Sequence, residues 1–399
     1  MTQRRALLVS PRPPRPDGRG DQRRAAEILA ALEADHEVEV VSWLPDVGGD
    51  AVARWGGASA RDWTRALRLA RRLPLTVAYV QALAPADLAR RLADDAYDVA
   101  VLVTDRAVPP AFARVLDGRT VLDFVDDLGG TALRRARQSR GPARPLWHWE
   151  GRRLRRFDAA VAAAAGAAVA HSPADAARIA PGVRVVPLSV GPRVPGPSGA
   201  VGRVVFVGNL AYLPNHEAAT WICTDLAPAL ERAGVAPGRL LLAGRRPRPA
   251  LVAAARAAGV ELRADVESLP AVLGQAAVVL SPTVLGAGCQ YKVLDACAAG
   301  RPCVLSAGAN AGLGLADGRS ALVRAREAGP FAEAVATLLA DPGLRDRIGT
   351  AAREQMGPYQ PEAVAAAWRR VVAGDRRATV EAQPADRDDV GTVPELTAT

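Results

Sequence analysis

Lysine is almost absent from this chain of 399 residues. Fifty-one side chains are Lys or Arg, and Lys292 is the only lysine among them. An ammonium is a compact point charge, whereas a guanidinium is planar, so the two differ in reach and geometry. A position that keeps lysine against this bias is a candidate for a special role. Taken alone, Lys292 is equally consistent with a point charge needed to hold an anion and with chance together with an ordinary i,i+3 ion pair with Asp295.

Aromatic residues are also scarce, at 4% of the chain, whereas hydrophobic residues make up 49%. The cores must therefore be built mainly from Ala, Val and Leu, and the length is sufficient for two domains. The chain lacks the long apolar run of about 18 residues that a membrane-spanning helix needs. The cysteines have spacings that fit no common zinc motif, so we expect buried thiols in a reducing cytoplasm, with no bound metal and no cofactor. They are Cys223, Cys289, Cys297 and Cys303.

Acidic residues are missing from one segment in particular, although the whole chain has a net charge of +9. Residues 134–156 hold nine arginines and a single acid, Glu150. Few aromatic residues and no nucleic-acid-binding motif accompany them, so we expect no nucleic acid partner. The segment predicts either a solvated helix face or a patch that contacts an anionic membrane or an anionic lipid-linked acceptor. We therefore expect a cytoplasmic protein that can lie at the inner face of the membrane.

Strand patterns alternate with helical patterns in both halves of the chain, which predicts an α/β fold with mainly parallel sheets. A stretch rich in Gly, Pro and Ser separates the two halves and is typical of a linker. The last residues are polar and poor in large apolar side chains, which predicts disorder. The predicted units are a first domain, a linker, a second domain, a last helix and a disordered tail, at 1–190, 191–202, 203–360, 361–373 and 374–399.

The segment 281–305 carries the strongest candidate site. An apolar strand runs into a turn with Gly286 and Gly288, where the backbone can approach a ligand closely. The helix that follows offers N–H groups to an anion at its start. Lys292 lies in its first turn, and Asp295 lies one turn deeper, placed to accept hydrogen bonds from sugar hydroxyls. The residues expected to offer these N–H groups are Cys289, Gln290 and Tyr291.

Two further turns in the second half follow predicted strands. Arg245 comes directly after the strand LLLAG, where a guanidinium can hold phosphate oxygens, although a solvated loop explains it equally well. Gly208 and Asn209 end the strand VVFVGN and can approach a ligand at the same edge. Asn215, a few residues later, is predicted to be the N-cap of the next helix.

The first half offers candidates for binding a second substrate. The loop after the first strand is predicted to form a mobile lip over a cleft, and Asp21 is expected to cap a helix that begins at Gln22. An aspartate in DDLGG could act as a base or bind hydroxyls, or it could simply form a turn. His171 ends another strand and could face the cleft or satisfy local backbone groups. These candidates are Gly18, Arg19, Gly20, Asp21, Asp126, Asp127 and His171.

These pieces together resemble the group 1 (family 4-like) glycosyltransferases. VVFVGNLAYLPNHEAATWICTDLAPAL, LLLAGR and SPTVLGAGCQYKVLDACAAGRPCV are similar to the second domain of that family. VSPRPPRPDGRGDQRRAAEILAALEADHEVEVVSW and LDFVDDLGG are similar to its first domain, so the resemblance spans residues 5–372. It implies a GT-B fold, in which two Rossmann-like domains with mainly parallel sheets face a cleft and the last helix crosses back to the first domain. It also implies sugar transfer from a nucleotide-diphosphate donor to a sugar, a lipid-linked acceptor or a small molecule, with retention of configuration and without a metal.

The resemblance also implies roles for single residues. Arg245 and Lys292 match the basic pair that stabilises the leaving diphosphate. Asp295 matches the second carboxylate of a Glu-x7-Glu motif, which binds the ribose, whereas Ala287 stands where the first glutamate is expected. The sugar contact of that glutamate would then come from backbone at residues 288–290. A GT-B epimerase and a basic membrane-surface protein with a degenerate GT-B fold are the alternatives.

Overall fold

The computed structural model describes residues 4–44, 59–191, 202–284 and 289–375. The linker residues 192–201 and the turn residues Gly286, Ala287 and Gly288 lie outside the described residues. The predicted disordered tail lies outside them too, apart from Gly374 and Asp375.

The first half forms one sheet with helices on both sides. Its strands are β1 (Arg4–Val9), β2 (His36–Val41), β3 (Val99–Val103), β4 (Thr120–Asp123), β5 (Ala167–Ala170) and β6 (Arg184–Val185). All neighbours pair in parallel, in the order β2-β1-β3-β4-β5-β6. The central strand β3 is buried at every position, as expected for an apolar strand with helices on both faces. The helices are α1 (Gly20–Leu32), α2 (Ala60–Ala70), α3 (Leu75–Ala82), α4 (Leu88–Leu92), α5 (Phe112–Val115), α6 (Leu128–Gln138), α7 (Ala143–Ala164) and α8 (Pro173–Ile179).

The second half forms another parallel sheet. Its strands are β7 (Arg203–Asn209), β8 (Leu240–Arg245), β9 (Glu261–Ala264), β10 (Ala276–Ser281), β11 (Cys303–Ser306) and β12 (Leu322–Arg324). Their order is β12-β11-β10-β7-β8-β9, and every pair is parallel. The predicted α/β class with parallel sheets is therefore confirmed. The helices are α9 (Leu213–Trp221), α10 (Ala227–Arg232), α11 (Pro249–Ala257), α12 (Leu269–Gly274), α13 (Tyr291–Ala298), α14 (Ala307–Asn310), α15 (Ala328–Ala340), α16 (Pro342–Glu354) and α17 (Pro361–Val372).

The last helix, α17, packs against the first sheet rather than the second. Its buried face joins the cluster that contains Leu8 of β1 and Ile28 of α1. Trp368 is the largest side chain of that face, and it is only 1% exposed. The guanidinium of Arg24 lies 4.8 Å from the centroid of the Trp368 ring. The first half is therefore completed by α17, the last helix of the described residues.

The carboxyl edges of the two sheets face each other. His171 follows β5, and its Nε2 accepts a hydrogen bond from the N–H of Cys289, which follows β10, at 2.9 Å. Arg245 ends β8, and its Nη2 donates to the backbone oxygen of Asp17, in the loop after β1, at 2.8 Å. In open parallel sheets this edge is the usual place for ligands. The fold thus places two such edges around one cleft.

Across the described ranges, none of the helices combines the length and apolar character that crossing a bilayer would require.

Candidate functional site

Lys292 is the second residue of α13, at the point where β10 delivers the chain into the cleft. Its Nζ donates to Oδ1 of Asn215 at 2.8 Å and lies 4.3 Å from the centroid of the Phe206 ring. Within the described residues it forms no ion pair with a carboxylate. Loss of hydration lowers the pKa of the amine to about 7. A cation with neutral partners at a helix N-terminus can bind an anion.

Asn215 does not cap its helix, so that prediction is wrong. The helix α9 begins at Leu213 with Tyr212 at the N-cap, and Asn215 lies inside its first turn. Its Nδ2 donates to the backbone oxygen of Asn209 at 3.1 Å, which leaves Oδ1 for the lysine. A Cβ atom at Gly208 would lie 2.8 Å from that Nδ2. The end of β7 therefore needs glycine to make room for the side chain that holds Lys292.

Cys289 and Gln290 use their polar groups to fix the start of α13. The N–H of Cys289 bonds His171, as described above, and burial raises the pKa of its thiol well above the usual range. Gln290 accepts from Oγ of Ser281 at 2.8 Å and donates to Oγ1 of Thr283 at 2.6 Å. Both hydroxyls belong to the end of β10 and the turn after it. The first N–H groups of α13 have no partner within the helix, and this anchoring holds them in place.

Asp295 is paired with the first half of the chain and not with Lys292. Its two carboxylate oxygens accept from Nη1 and Nη2 of Arg23, both at 2.9 Å. The N–H of Gly191 donates to the same carboxylate at 2.6 Å. The guanidinium of Arg23 also lies 3.9 Å from the centroid of the Tyr291 ring. The i,i+3 pair of Lys292 and Asp295 considered from the sequence is therefore not formed.

A second titratable group lies at the same junction. Glu27 of α1 accepts from the hydroxyl of Tyr291 at 3.1 Å and from the N–H of Ser189 at 3.2 Å. Burial raises the pKa of Glu27 to about 7, although Arg24 and Arg23 oppose the shift. Tyr291 thus contacts the first domain through its ring and its hydroxyl. Sequence reasoning did not identify Arg23 or Glu27, because their partners Asp295 and Tyr291 lie more than two hundred residues away.

Arg245 reaches across the cleft from the end of β8. Its side chain is half exposed, and besides the Asp17 carbonyl it approaches the Asp17 carboxylate at 3.9 Å. The preceding Gly244 has a φ of +157°, and a Cβ there would lie 1.7 Å from the backbone oxygen of Gly208. The strand ends of Gly208 and Gly244 therefore pack too closely for any side chain. Asn209 pairs with Arg245 in the ladder, and its Oδ1 accepts from the N–H of Ala211 at 3.2 Å.

The loop before α1 differs from its prediction in one respect. The helix begins at Gly20 with Arg19 at the N-cap, so Asp21 lies in the first turn and is not the cap. Asp21 instead pairs with Arg12 at 2.5 Å. Burial favours a higher pKa for Asp21, but the charge of Arg12 and other arginines outweighs it and the pKa is lowered. A Cβ at Gly20 would lie 3.7 Å from the Tyr291 ring, so the loop touches α13 closely.

The three remaining candidates of the first half have different surroundings. Asp127 is buried and caps α6, accepting from the N–H of Gly130 at 2.6 Å, which is the turn role considered from the sequence. Asp126 is exposed, and desolvation raises its pKa while the charge of His171 opposes the shift. His171 is 3% exposed, and its Nδ1 is buried without a hydrogen-bond partner in the described part of the chain.

The structure thus brings Gly208, Asn209, Arg245 and the start of α13 to one wall of the cleft. The loop with Gly18, Arg19 and Gly20 lies on the opposite wall with Asp126 and His171. Asn215, which links β7 to Lys292, is the functional residue that the sequence assigned to another role. No cluster of three or more His, Cys, Asp or Glu residues suited to a metal ion occurs in the ranges that the structure describes.

Comparison with known proteins gives a family match for part of the chain. Residues 202–341 match the family model described as Glycosyl transferases group 1. This match covers β7 to α15, including the wall with Lys292. No curated protein sequence matches the chain.

Solved structures of similar fold cover nearly the whole chain. Sucrose-phosphate synthase from Thermosynechococcus elongatus is 15% identical over 93% of this chain and 98% of that one, with a TM-score of 0.65. WaaG, a glycosyltransferase involved in lipopolysaccharide biosynthesis, is 16% identical over 92% and 100%, with a TM-score of 0.63. Anabaena Alr3699/HepE, solved in complex with UDP and glucose, is 13% identical over 92% and 99%, with a TM-score of 0.59. These similarities confirm the predicted GT-B fold.

Proposed function

We propose that this protein is a glycosyltransferase that moves a sugar from a nucleoside-diphosphate donor to an acceptor. The observation that carries the proposal is the position of Lys292. The only lysine of the chain lies in the first turn of α13, inside the segment that matches the glycosyltransferase family, and among the described residues its amine contacts only the neutral Asn215 and Phe206. In a glycosyltransferase, the anion that would bind at the start of α13 is the diphosphate of the nucleotide-sugar donor.

The chemistry requires charge stabilisation more than covalent help. Negative charge builds on the diphosphate as the bond to the sugar breaks, and fixed donors can stabilise it without reorganising. We assign this role to Lys292, to Arg245 and to the N–H groups at the start of α13. Gly208, Asn209, Gly286 and Gly288 would allow the donor to approach the backbone. We further propose a hexosyl donor, retention of configuration and no need for a metal.

Asp295 is proposed to bind the ribose only in exchange for its present partners. Both of its oxygens are occupied by Arg23, and the Gly191 N–H adds a third hydrogen bond. A ribose diol at this position would compete with a guanidinium for the same carboxylate. Donor binding and the contact between the two domains are therefore coupled in this proposal.

The acceptor is proposed to bind on the first domain, near Asp126, His171 and the loop of Gly18 to Asp21. Loss of hydration raises the pKa of the Asp126 carboxylate, which suits a group that exchanges a proton with an acceptor hydroxyl. Gly20 brings the backbone close to Tyr291, so an acceptor held by this loop would lie near the start of α13. We therefore propose that the acceptor binds between the two walls.

We also propose that the acceptor is lipid-linked and that the protein lies against the inner face of an anionic membrane. The basic segment 134–156 forms the second half of α6 and most of α7, and it exposes two large apolar side chains. Leu146 is 50% exposed and Trp149 is 48% exposed, with the guanidinium of Arg153 at 4.5 Å from a Trp149 ring centroid. Exposed apolar side chains among arginines suit a headgroup region.

The donor proposal is tested by thermal shift with UDP-, GDP-, ADP- and dTDP-sugars. The matching donor should raise Tm, because a ligand that binds only the folded state stabilises it by mass action. Lys292→Ala should abolish that shift, and Arg256→Ala, which removes an exposed arginine of α11, should leave it intact. No shift with any donor would contradict the proposal. Product analysis with and without acceptor then separates transfer from epimerisation.

The membrane proposal is tested by flotation with vesicles of phosphatidylglycerol and, separately, of phosphatidylcholine. Binding should require the anionic lipid and weaken at high salt. The double variant Leu146→Ser with Trp149→Ser should bind less. Leu269→Ser, which changes an exposed leucine of α12, is the matched control. Absence of binding to anionic vesicles at low salt would rule this part out.

A further inference from the structure

Lys292 is a basic side chain that has no carboxylate partner in the part of the chain that the structure describes. Its Nζ has one hydrogen-bond partner among the described residues, the neutral Oδ1 of Asn215, and one aromatic neighbour, Phe206. A charged amine that loses hydration needs a compensating anion, and otherwise the neutral form is favoured. Burial alone accounts for the lowering of the pKa of Lys292 to about 7, with no charged neighbour contributing.

The charged and titratable groups on the surrounding elements are engaged elsewhere. On α13 itself, Asp295 pairs with Arg23 and Tyr291 bonds Glu27. On β8, Arg245 reaches toward Asp17. These contacts all point toward the first domain and away from the amine.

The helix α9, which carries Asn215, adds no counter-charge either. His216 follows Asn215, and desolvation lowers its pKa, with Arg248 acting in the same direction. Glu217 forms no ion pair within the described ranges, and its charge does not contribute to the shift at Lys292. Among the described residues of these elements, no acidic group therefore balances a charge on the Lys292 amine.

We infer that Asn215 is the positioning residue of Lys292, and that the amine of the free protein is mostly neutral at mildly alkaline pH and takes up a proton when a diphosphate binds beside it. Asn215 is suited to this because its Oδ1 accepts a hydrogen bond from either form of the amine. Its Nδ2 is fixed by the Asn209 carbonyl, so the amide cannot turn away. The bound anion then provides the negative charge that the described residues around Nζ lack. The identity of the anion rests on the proposed function, whereas the state of the amine does not.

A carboxylate at position 215 would remove this property. Asn215→Asp is nearly isosteric. It loses the hydrogen bond to the Asn209 carbonyl but brings a negative charge next to Nζ, so the lysine would stay protonated at neutral pH. Gln275→Glu makes the same amide-to-carboxylate change at the opposite end of β10, just before Ala276. The two variants separate a local effect on the amine from a general effect of added charge.

The first experiment uses the single lysine of the chain as its own label. Protein grown with 13Cε-labelled lysine should give one lysine side-chain signal, whose chemical shift reports protonation. We expect a titration midpoint near 7 in the free protein, an increase of at least one pH unit in Asn215→Asp and no change in Gln275→Glu. A midpoint near the ordinary value of about 10.4, or an unchanged midpoint in Asn215→Asp, would overturn the inference.

The second experiment measures proton uptake with UDP as the probe. Calorimetric titration at pH 8 in two buffers of different ionisation enthalpy should reveal uptake of about 0.9 proton per UDP, since an amine with a pKa near 7 is then mostly neutral. Lys292→Arg should bind UDP without this uptake, because a guanidinium is always charged. Equal uptake in Lys292→Arg would assign the proton to another group and overturn the inference.

The two experiments fail in different ways. A low midpoint without UDP binding would contradict a uridine donor and leave the neutral amine established. A midpoint near the ordinary lysine value with UDP binding would overturn the proton uptake and leave the donor proposal standing. Asn215→Asp also separates positioning from scaffolding. A positioning role predicts that the alkaline limb of the pH–kcat/KM profile moves upward with the midpoint, whereas a scaffolding defect would lower activity equally at all pH values.

Discussion

The carboxyl edges of the two sheets each hold a basic side chain, Arg24 at the first and Lys292 at the second, and the two have opposite surroundings. Arg24, at the first edge, is fully buried with Asp123 at 2.9 Å and donates to the backbone oxygens of Val186 and Pro187, both at 2.6 Å. Lys292, at the second edge, has an amide oxygen and an aromatic ring. The pKa of Arg24 is raised despite burial, chiefly through Asp123 and Glu27, whereas that of Lys292 is lowered. Arg24, whose charge is balanced by Asp123, therefore stabilises the fold, whereas Lys292, whose described partners are neutral, is available to an anionic ligand.

The largest effect on stability should come from breaking the compensated pair. Arg24→Met leaves the Asp123 carboxylate buried without its partner, and we expect a loss of about 3–5 kcal/mol in the free energy of unfolding. Urea unfolding of the full chain measures it. Adding Asp123→Leu should recover part of the loss, since no charge then remains buried. A loss below about 1 kcal/mol would mean that the two edges do not differ in this way.

The uncompensated cation should behave in the reverse manner, with an effect on activity and little on stability. Removing one preorganised donor to a leaving group costs about 3–4 kcal/mol in the transition state. Lys292→Ala should therefore lower kcat/KM by roughly 10²–10³-fold, while its urea midpoint stays at or above that of the parent chain. Lys292→Arg should retain part of the activity. Unchanged turnover in Lys292→Ala would end the assignment of this residue.

The pH dependence of stability sharpens the comparison, because Glu27 and Lys292 both titrate near pH 7 when folded but have opposite signs. The pKa of Glu27 is raised by folding, so its contribution is fully present below about 4.3 and is lost as the pH rises to 7. The pKa of Lys292 is lowered by folding, so its penalty shrinks as the pH rises from 7 toward about 10.4. Relative to Glu27→Gln, the parent chain should lose stability as the pH rises from about 4.3 to about 7. Relative to Lys292→Met, it should gain stability on the alkaline side, and parallel curves would contradict both shifts.

The smallest effect is expected for a cation that is paired in water. Arg324 bonds Asp317 at 2.8 Å with about a third of its side chain exposed, and more than half of the Asp317 side chain is exposed. Exposed pairs contribute about 0–1 kcal/mol. Arg324→Ala should therefore hardly shift the urea midpoint, and the shift should be smaller still at high salt. If Arg324→Ala lost as much free energy of unfolding as Arg24→Met, burial would not determine how much each ion pair contributes to stability.

Much of the fold could be predicted because its signals are local. Apolar runs such as VAVLV and CVLS, alternating with helical patterns, predict parallel strands covered on both faces, and the structure confirms them. The position of Lys292 at the start of a helix was readable too, from a strand, a glycine turn and a helix in sequence. The sequence predicts the starts of α1 and α9 one or two residues later than Gly20 and Leu213, because Asp21 and Asn215 both look like capping residues.

The partners of the site residues could not be predicted in the same way. Lys292 bonds a residue 77 positions away, and Asp295 bonds one 272 positions away. Nothing in the composition or spacing of either segment encodes such a contact, which arises only when two sheets are brought together. Asn215 shows the consequence, since its local pattern fits a cap and its tertiary contact gives it another role. The resemblance supplied an expected role for Asp295, and the structure adds the arginine that occupies it.

The return of α17 to the first sheet has a consequence for the order in which the chain can fold during synthesis. Trp368 and its neighbours share a cluster with Leu8 and Ile28, so this face of the first domain is incomplete until residues 361–372 have been synthesised. The second sheet has all its strands by residue 324 and can close earlier. The first domain, although its strands emerge first, is finished last. A gene truncated before residue 361 would leave an open apolar groove on that domain, where a chaperone or another unfinished chain could bind.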